Sequence, residues 1–246
     1  MDKQLVERFW DARPCGDGLA GAARGTREYF EQVEGEKLRR EPYVPGFAEF
    51  ERWRGRDVLE VGCGIGTDTV RFARAGARVV GIDLTQAAVE LANAWLEQEG
   101  LAGRALQADA ELLPFEDASF DLVYSWGVLH HTPDTARAIS EVRRVLRREG
   151  EARIMLYNRR SLFATGVWAY RSATRLQPLS VAGALATGLE SPGTKAFTRA
   201  EAAALFREFG SVEIRTIATS YDARLAGPFA RLVSPLGWNL LITARP

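Results

Sequence analysis

VLEVGCGIGTDT, residues 58–69, is the stretch that decides the fold: an apolar run and an acid, then glycines at positions 62, 64 and 66. Where a strand turns into a helix through glycines, backbone N–H groups can approach a ligand because no side chain fills the space. Nicotinamide dinucleotides and S-adenosylmethionine (SAM) both bind at turns of this kind. The dinucleotide fingerprint G-x-G-x-x-G requires a third glycine at position 67, where this chain has Thr67. The spacing therefore favours SAM.

An acid follows the glycine turn at the distance that a nucleoside-containing cofactor needs. Asp83 ends the second predicted strand, and in a doubly wound sheet that position faces the same crevice as the glycine turn. A carboxylate there can accept hydrogen bonds from both ribose hydroxyls. The alternative is that Asp83 only caps the next predicted helix, which begins near Gln86. The glycine turn and the acid together indicate a cofactor that carries a ribose.

Short apolar segments alternate with helical patterns between residues 57 and 158, which is typical of a parallel sheet covered by helices. The predicted strands are 57–61, 77–83, 104–109, 119–126 and 151–158. Helices are predicted between them at 67–75, 86–100 and 133–150. Further along, Thr198 and Glu201 form a capping box that predicts a helix over 198–210. The last predicted strands, 211–219 and 238–244, are expected to form an antiparallel edge.

The composition excludes several classes of partner. The 246 residues carry 32 basic and 32 acidic side chains, so no overall charge favours a nucleic acid or an anionic membrane. Cys15 and Cys63 give neither a disulfide framework nor zinc-ligand spacing. No stretch reaches the roughly 18 apolar residues of a membrane span, and the first residues lack the apolar core of a secretory signal. A cytoplasmic location is the expectation, and the sequence carries no signal for a particular oligomeric state.

The chain resembles the class I SAM-dependent methyltransferases, and among them the type 11 group of small-molecule enzymes. Four segments over roughly residues 55–158 carry the resemblance: VLEVGCGIGTDT (58–69), VVGIDLT (79–85), QADAELLPFEDASFDLV (107–123) and WGVLHH (126–131). The resemblance implies an α/β fold with a doubly wound, Rossmann-like, mostly parallel seven-stranded sheet whose last strand is antiparallel. It also implies SAM as the cofactor, S-adenosylhomocysteine as the product and a small-molecule acceptor.

The resemblance assigns a part of SAM to each matching residue. Eleven positions are implied as cofactor-binding: Glu60, Gly62, Cys63, Gly64, Gly66, Asp83, Leu84, Asp109, Ala110, Ser125 and Trp126. Glu60 and the glycine turn would surround the methionine portion, with Cys63 in a structural role. Asp83 would bind the ribose and Leu84 the adenine ring. Asp109 would meet the adenine amino group beside the Ala110 amide, and Ser125 and Trp126 would lie near the sulfonium.

The chemistry requires positioning more than acid catalysis, because SAM already carries an activated methyl group on a sulfonium. A base is useful when the acceptor is a hydroxyl or an amine. His130 and His131 are the only histidines and follow the fourth strand, so His130 is the candidate base. The alternative is that one imidazole bonds the backbone while the other is solvated. Adjacent histidines are expected to point apart, so no metal site is predicted.

Two flanking segments are predicted to cover the site. In this group of enzymes a prefix such as residues 1–50 folds over SAM as a lid on the domain formed by 51–246. Tyr29, Arg39 and Tyr43 could there meet the methionine carboxylate or the substrate, or the aromatic rings could simply pack the prefix onto the core. The insertion 159–195 is the expected acceptor wall, with Trp168 and Tyr170 in it. Its apolar bias favours a partly hydrophobic acceptor over a nucleotide.

Three other functions use the same motifs. SAM could be consumed without methyl transfer, by cyclisation or elimination that releases methylthioadenosine. The chain could also be a non-catalytic SAM-binding module, or more distantly a nicotinamide oxidoreductase. Methyl transfer to a small organic acceptor by in-line displacement is the leading hypothesis.

Overall fold

A β-sheet organises the chain in the computed structural model, which describes residues 3–175, 179–187, 190–226 and 234–246. The strands are β1 (Asp57–Val61), β2 (Arg78–Asp83), β3 (Arg104–Gln107), β4 (Phe120–Trp126), β5 (Leu146–Tyr157), β6 (Ser211–Ile217) and β7 (Asn239–Arg245). Within the described residues they form one sheet in the order β3-β2-β1-β4-β5-β7-β6. β7 is antiparallel to both of its neighbours and the other pairs are parallel. The predicted fold class, with its antiparallel last strand, is confirmed.

Helices flank the sheet and precede it. Their bounds are α1 (Lys3–Ala12), α2 (Arg27–Arg40), α3 (Val44–Ala48), α4 (Thr67–Arg74), α5 (Gln86–Gln98), α6 (Thr135–Val145), α7 (Leu162–Arg175), α8 (Val181–Ala186), α9 (Arg199–Leu205) and α10 (Ser220–Ala226). Single 3-10 turns occur at Asp17–Leu19, Phe50–Trp53 and Ser234–Leu236. Among the described residues, none of the helices combines the length and apolar character that crossing a membrane requires.

The two faces of the sheet bury separate apolar clusters, as a doubly wound fold requires. On one face Leu59 and Val123 pack with α6 and Phe206, the residue that ends α9. On the other face Tyr124 packs with Phe72 of α4 and with residues of α2 and α5. Because β1 and β4 are buried on both faces, apolar residues follow one another in them, at 58–59 and at 122–124, rather than strictly alternating.

The glycine turn is held between β1, α4 and the end of β2. Gly62 has φ +77°, and a Cβ atom there would lie 2.2 Å from a methyl carbon of Val128. Gly66 has φ +94°, and its Cβ would lie 2.9 Å from Ala92. The N–H of Gly62 donates to the carbonyl of Ile82 at 2.7 Å. Both glycines are therefore required by their conformation and by close packing.

The residues before β1 form part of the core. Phe30 of α2 is 1% exposed and stacks on Trp95 of α5, with ring centroids 4.7 Å apart. Tyr29 is equally buried, and its hydroxyl donates to Asp17 at 2.7 Å. The rings of Tyr29 and Phe30 therefore pack the prefix onto the core, which is the alternative given above for its aromatic residues.

The largest departures from the prediction are at three places. The helix predicted over 133–150 ends at Val145, because Leu146 is buried and pairs with Phe120 at the start of β4. The strand then bulges, so that Glu151 is the next residue in register, opposite Leu122. The helix predicted over 198–210 ends at Leu205, although its capping box is present. The linker predicted between β6 and β7 contains α10, which the sequence pattern did not indicate.

Candidate cofactor and acceptor site

A cavity of about 360 Å³ lies at the carboxyl ends of the parallel strands, under α1 and α2. This volume lies in the range that small-molecule sites occupy. Ten residues predicted as site residues lie on its wall: Glu60, Gly62, Cys63, Gly64, Asp83, Leu84, Asp109, Ala110, Trp126 and Tyr43. From the ends of β2 and β3 the cavity passes the glycine turn and reaches the ends of β4 and β5, where Tyr157 and Trp238 line it.

Asp83 connects the glycine turn to the end of β2. Its Oδ2 accepts the N–H of Gly64 at 3.0 Å, and its Oδ1 accepts the N–H and the hydroxyl of Thr85 at 3.0 and 2.9 Å. Burial raises the pKa of Asp83, while these donors oppose that rise. Thr85, rather than Asp83, is the N-cap residue of α5. The carboxylate is thus fixed at the edge of the cavity by donors on both sides.

A buried charged network lies behind the glycine turn. The Lys37 ammonium of α2 donates to Asp68 at 2.7 Å, and the Tyr124 hydroxyl donates to the same carboxylate oxygen at 3.0 Å. The Thr69 hydroxyl donates to Glu60. Burial, reinforced by the nearby Asp68, raises the pKa of Glu60 to about 8. This network places one cation and two carboxylates beside the glycine turn.

The link between α2 and α3 closes the cavity over the end of β4. Trp126 donates its indole N–H to both Glu41 oxygens at 3.1 Å, and its ring lies 5.8 Å from that of Tyr43. The Tyr43 hydroxyl accepts the amide N–H of Asn239 at 3.2 Å. Burial raises the pKa of the Glu41 carboxyl. The prefix and the start of β7 therefore meet at this end of the cavity.

α1 lies over the other end. The Lys3 ammonium is 2.5 Å from Asp109 Oδ2 and 2.7 Å from Glu111 Oε2. Trp10, also on α1, makes an edge contact with the His131 ring at a centroid distance of 5.3 Å. One helix thus contacts both the acid predicted for the adenine and the histidine pair.

The two histidines have different surroundings. His130 is fully buried, its ring lies 3.8 Å from that of Tyr157, and neither ring nitrogen has a hydrogen-bond partner among the described residues. Burial lowers the pKa of His130 well below its usual value. His131, not His130, lines the cavity. Its Nδ1 lies 2.9 Å from the Ser191 hydroxyl and its Nε2 lies 3.1 Å from Glu190 Oε2.

The expectation that the two imidazoles point apart is wrong. Their ring centroids are only 4.3 Å apart. His130 packs against Tyr157, and His131 lies beside Glu190. Nitrogen and oxygen atoms of the two histidines and Glu190 lie within 4.8 Å of one another, so this cluster has the side-chain types of a metal site. The argument from sequence against a metal therefore fails.

Seven predicted site residues lie off the cavity wall: Gly66, Ser125, Tyr29, Arg39, His130, Trp168 and Tyr170. Ser125 is buried and donates to the Val61 carbonyl. Arg39 pairs with Glu36 in solvent. Tyr170 is 71% exposed. Tyr29 and Ser125 are turned to the core, and Arg39 and Tyr170 to water.

The sequence reasoning did not identify several residues of the wall. They are Cys15, Lys37, Glu41, Glu190, Trp238 and Asn239, and His131 was considered only as the neighbour of His130. All except His131 lie outside residues 55–158, so the motifs gave no signal for them. Lys37 is one of many charged residues of α2, and Glu41 follows that helix, so their charge gave no signal either.

Comparison with known proteins identifies the central segment. A family model described as a methyltransferase domain, of the type 11 group, matches residues 59–154. The chain contains a class I SAM-dependent methyltransferase domain. The matched segment includes the glycine turn, Asp83, Asp109 and Trp126. It leaves the prefix, the insertion and the last two strands outside.

Individual relatives match a similar length of the chain. Over 94 residues the chain is 36% identical to the uncharacterized methyltransferase YcgJ of Bacillus subtilis. These residues make up 38% of this chain and 37% of YcgJ. Over 99 residues the chain is 39% identical to the 27-O-demethylrifamycin SV methyltransferase of Amycolatopsis mediterranei, which covers 39% of this chain and 36% of that enzyme. The chain thus spans little more than a third of the length of these relatives.

A solved structure extends the likeness of fold to most of the chain. A SAM-dependent methyltransferase of Aquifex aeolicus superposes with a TM-score of 0.57 at 14% identity, covering 87% of this chain and 95% of the other. At this identity the likeness shows the fold alone.

Proposed function

We propose that the protein transfers the methyl group of SAM to a small, partly hydrophobic organic acceptor by in-line displacement at the sulfonium. The observation that carries the proposal is the Asp83 carboxylate, fixed beside the glycine turn at the edge of a cavity that continues to an aromatic end. The proposal assigns the cofactor to the β2–β3 side of the cavity and the acceptor to the β4–β5 side.

The residues of the β2–β3 side suit an adenosine. A Cβ atom on Gly64 would meet no atom nearer than the Cys15 carbonyl at 3.8 Å, so the glycine borders open space that a ligand can enter. Asp83 is the acceptor for the ribose hydroxyls, and Leu84 supplies an apolar surface for the adenine. Asp109 is the acceptor for the adenine amino group. These donor and acceptor types match the nucleoside that the family binds.

The charged network suits the methionine portion. Its ammonium and carboxylate need partners of both signs in a partly buried site. Glu60 and Lys37 line the cavity and offer one of each. Asp68 contacts the Lys37 ammonium at 2.7 Å and is itself fully buried, off the cavity wall. We assign the ammonium to Glu60 and the carboxylate to the Lys37 side.

The β4–β5 side suits an apolar acceptor. Tyr157 stacks on Trp238 at 4.3 Å, and Tyr43 and Trp126 continue this aromatic wall. Broad aromatic surfaces with few polar groups bind apolar frames and orient them through those groups. The relative that acts on 27-O-demethylrifamycin SV agrees with an organic acceptor.

Bound SAM supplies a methyl group on a sulfonium, which is already a good electrophile. The protein therefore has to hold the acceptor atom in line with the methyl–sulfur bond and keep water away. Trp126 and Tyr43 are placed to exclude water where the two ligands meet. The side chains of the aromatic wall are placed to orient the acceptor.

The test is a mass-spectrometric screen of the full chain with methyl-labelled SAM and a library of small phenols, alcohols, amines and thiols. Label in an acceptor together with stoichiometric S-adenosylhomocysteine is the expected result. An incubation with SAM alone is the control, because methylthioadenosine released without an acceptor would show SAM consumption without methyl transfer. The proposal also fails if isothermal titration shows no binding of SAM.

A further inference from the structure

A carboxylate outside the family motifs lies at the acceptor end of the cavity. Glu190 lines the cavity with 36% of its side chain exposed. The Tyr157 hydroxyl donates to its Oε1 and Oε2 at 3.1 and 3.0 Å, and His131 Nε2 lies 3.1 Å from Oε2. The His131 contact is at ion-pair distance without the alignment of a linear hydrogen bond. Glu190 is thus held from the core side and open on the side of the cavity.

The hydroxyls of Ser191 and Thr194 can satisfy the Nδ1 atom of His131 in both the neutral and the protonated form of the imidazole. The Thr194 hydroxyl donates its proton to the Ser191 carbonyl at 2.7 Å, so towards His131 Nδ1, 3.1 Å away, it can only accept. The Ser191 hydroxyl, 2.9 Å from Nδ1, can donate or accept. A neutral imidazole is satisfied by the Ser191 proton, and an imidazolium by the Thr194 oxygen. His131 can therefore present an N–H to Glu190 in both states.

We infer that Glu190 is the proton acceptor for the methyl-acceptor group, with His131 and Tyr157 as its positioning residues, and that this group is a hydroxyl on an apolar frame. The inference rests on the proposed methyl transfer. As the acceptor oxygen forms its bond to the methyl carbon, its O–H bond breaks and the proton passes to the Glu190 carboxylate. The methyl–sulfur bond breaks with its electron pair on sulfur, which leaves neutral S-adenosylhomocysteine.

The positions of the neighbouring groups favour Glu190 for this step. His130 is fully buried and off the cavity wall, so it cannot reach an acceptor. Cys15, also on the wall, is an exposed thiol that stays protonated, because the nearby Glu190 raises its pKa. Tyr157 also stays protonated, because burial and Glu190 raise its pKa well above the usual value. Two acid side chains line this end of the cavity: Glu41, whose two oxygens both accept the Trp126 indole N–H, and Glu190, which is open on the side of the cavity.

The test compares two phenols of similar size in the full chain. 4-Ethylphenol is neutral at mildly alkaline pH, whereas 4-nitrophenol is largely ionised and needs no base. In Glu190→Gln we expect methyl transfer to 4-ethylphenol to fall about 100-fold, the usual contribution of a general base. Transfer to 4-nitrophenol should change less than about threefold, because no proton has to be removed in that case. Glu97→Gln, on the exposed side of α5, is the matched control.

His131→Asn and Tyr157→Phe test the positioning roles with the same pair of phenols. Each should lower transfer to 4-ethylphenol by about tenfold and leave 4-nitrophenol nearly unchanged. A merely structural role would lower both rates together.

Three results overturn the inference. One is an equal loss, or no loss, on the two phenols in Glu190→Gln. Another is a chain that binds SAM but methylates neither phenol, whether it transfers the label to thiols or amines or transfers no label at all. The third is a stoichiometric metal ion in the purified protein that is lost in Glu190→Gln, which would make the carboxylate a ligand with the two histidines. Absence of SAM binding in the wild-type chain is different, because it contradicts the proposed function itself.

Discussion

The two ends of the cavity are built from different kinds of structure. At the cofactor end the wall consists of strand ends and a glycine turn, with Asp83 fixed by the backbone N–H groups of Gly64 and Thr85. At the acceptor end it consists of side chains from α1, the link between α2 and α3, the ends of β4 and β5, the segment after α8 and the residues around the start of β7. The first arrangement follows from a short stretch of chain, whereas the second needs contacts between distant stretches.

This difference agrees with the extent of the family match. The family match over residues 59–154 contains Asp83 and Asp109 but neither Glu190 nor Trp238. Enzymes that bind the same cofactor can keep the same strand ends and glycine turn to bind it. An acceptor that differs between enzymes is bound by segments that loops can carry. Variants at the two ends should therefore change different measurements.

The largest effect is expected at the cofactor end. Asp83→Ala removes the acceptor for two ribose hydroxyls, and lost hydrogen bonds to a charged group should weaken SAM binding by about 100-fold or more. Isothermal titration measures the affinity, and thermal unfolding shows whether the variant is folded. Asp117→Ala, an exposed acid paired with Arg144, is the control. An unchanged affinity in folded Asp83→Ala would refute the ribose assignment.

A smaller effect should appear as a pH dependence of SAM binding. Glu60 has a pKa of about 8, because burial and Asp68 favour its neutral form, while Lys37 and the Thr69 hydroxyl favour its ionised form and Asp83 opposes it. If the SAM ammonium binds ionised Glu60, the contribution of Glu60 to SAM affinity is present above that pKa and is lost as the pH falls below it. About a hundredth of the molecules are ionised at pH 6 and about a tenth at pH 7, so affinity should rise about tenfold between pH 6 and 7, where the SAM ammonium keeps its proton.

Glu60→Gln sharpens this prediction. The amide keeps an oxygen that can accept from Thr69 but does not titrate, so the rise with pH should disappear. Titrations in buffers of different ionisation enthalpy should show that wild-type SAM binding releases a proton at pH 7 and that the variant releases none. Matching pH profiles for the two proteins would place the ammonium elsewhere.

The sequence predicted the fold and the cofactor end because both depend on local patterns. Asp83 ends β2 and Asp109 lies two residues after β3, and the topology of a parallel sheet brings the carboxyl ends of neighbouring strands together. Local patterns failed where a distant contact decides, as at Leu146, whose pairing with Phe120 ends a helical pattern early.

At the acceptor end, aromatic content was a poor guide. Trp168 and Tyr170 lie in the expected insertion, but α7 turns Tyr170 to solvent, and the Trp168 indole donates to the Leu179 carbonyl. Glu190 lies in the same insertion and does reach the cavity. It contacts Tyr157, 33 residues away, and His131 at the end of another strand. No spacing rule in the sequence relates these three residues.

The smallest effect is expected where α1 crosses to the cofactor end. The Lys3 ammonium forms ion pairs with Asp109 and Glu111, so the adenine amino group has to compete with it for the Asp109 carboxylate. Both side chains of the Lys3–Asp109 pair are about one-third exposed, and such pairs contribute about 0–1 kcal/mol. Lys3→Met should therefore strengthen SAM binding by about two- to fivefold at low salt, with less gain at high salt. Arg8→Met makes the same charge change on an exposed position of α1 and should leave the affinity unchanged. Weaker binding in Lys3→Met alone would mean that Lys3 helps to hold the cofactor, and that α1 belongs to the cofactor wall rather than competing with it.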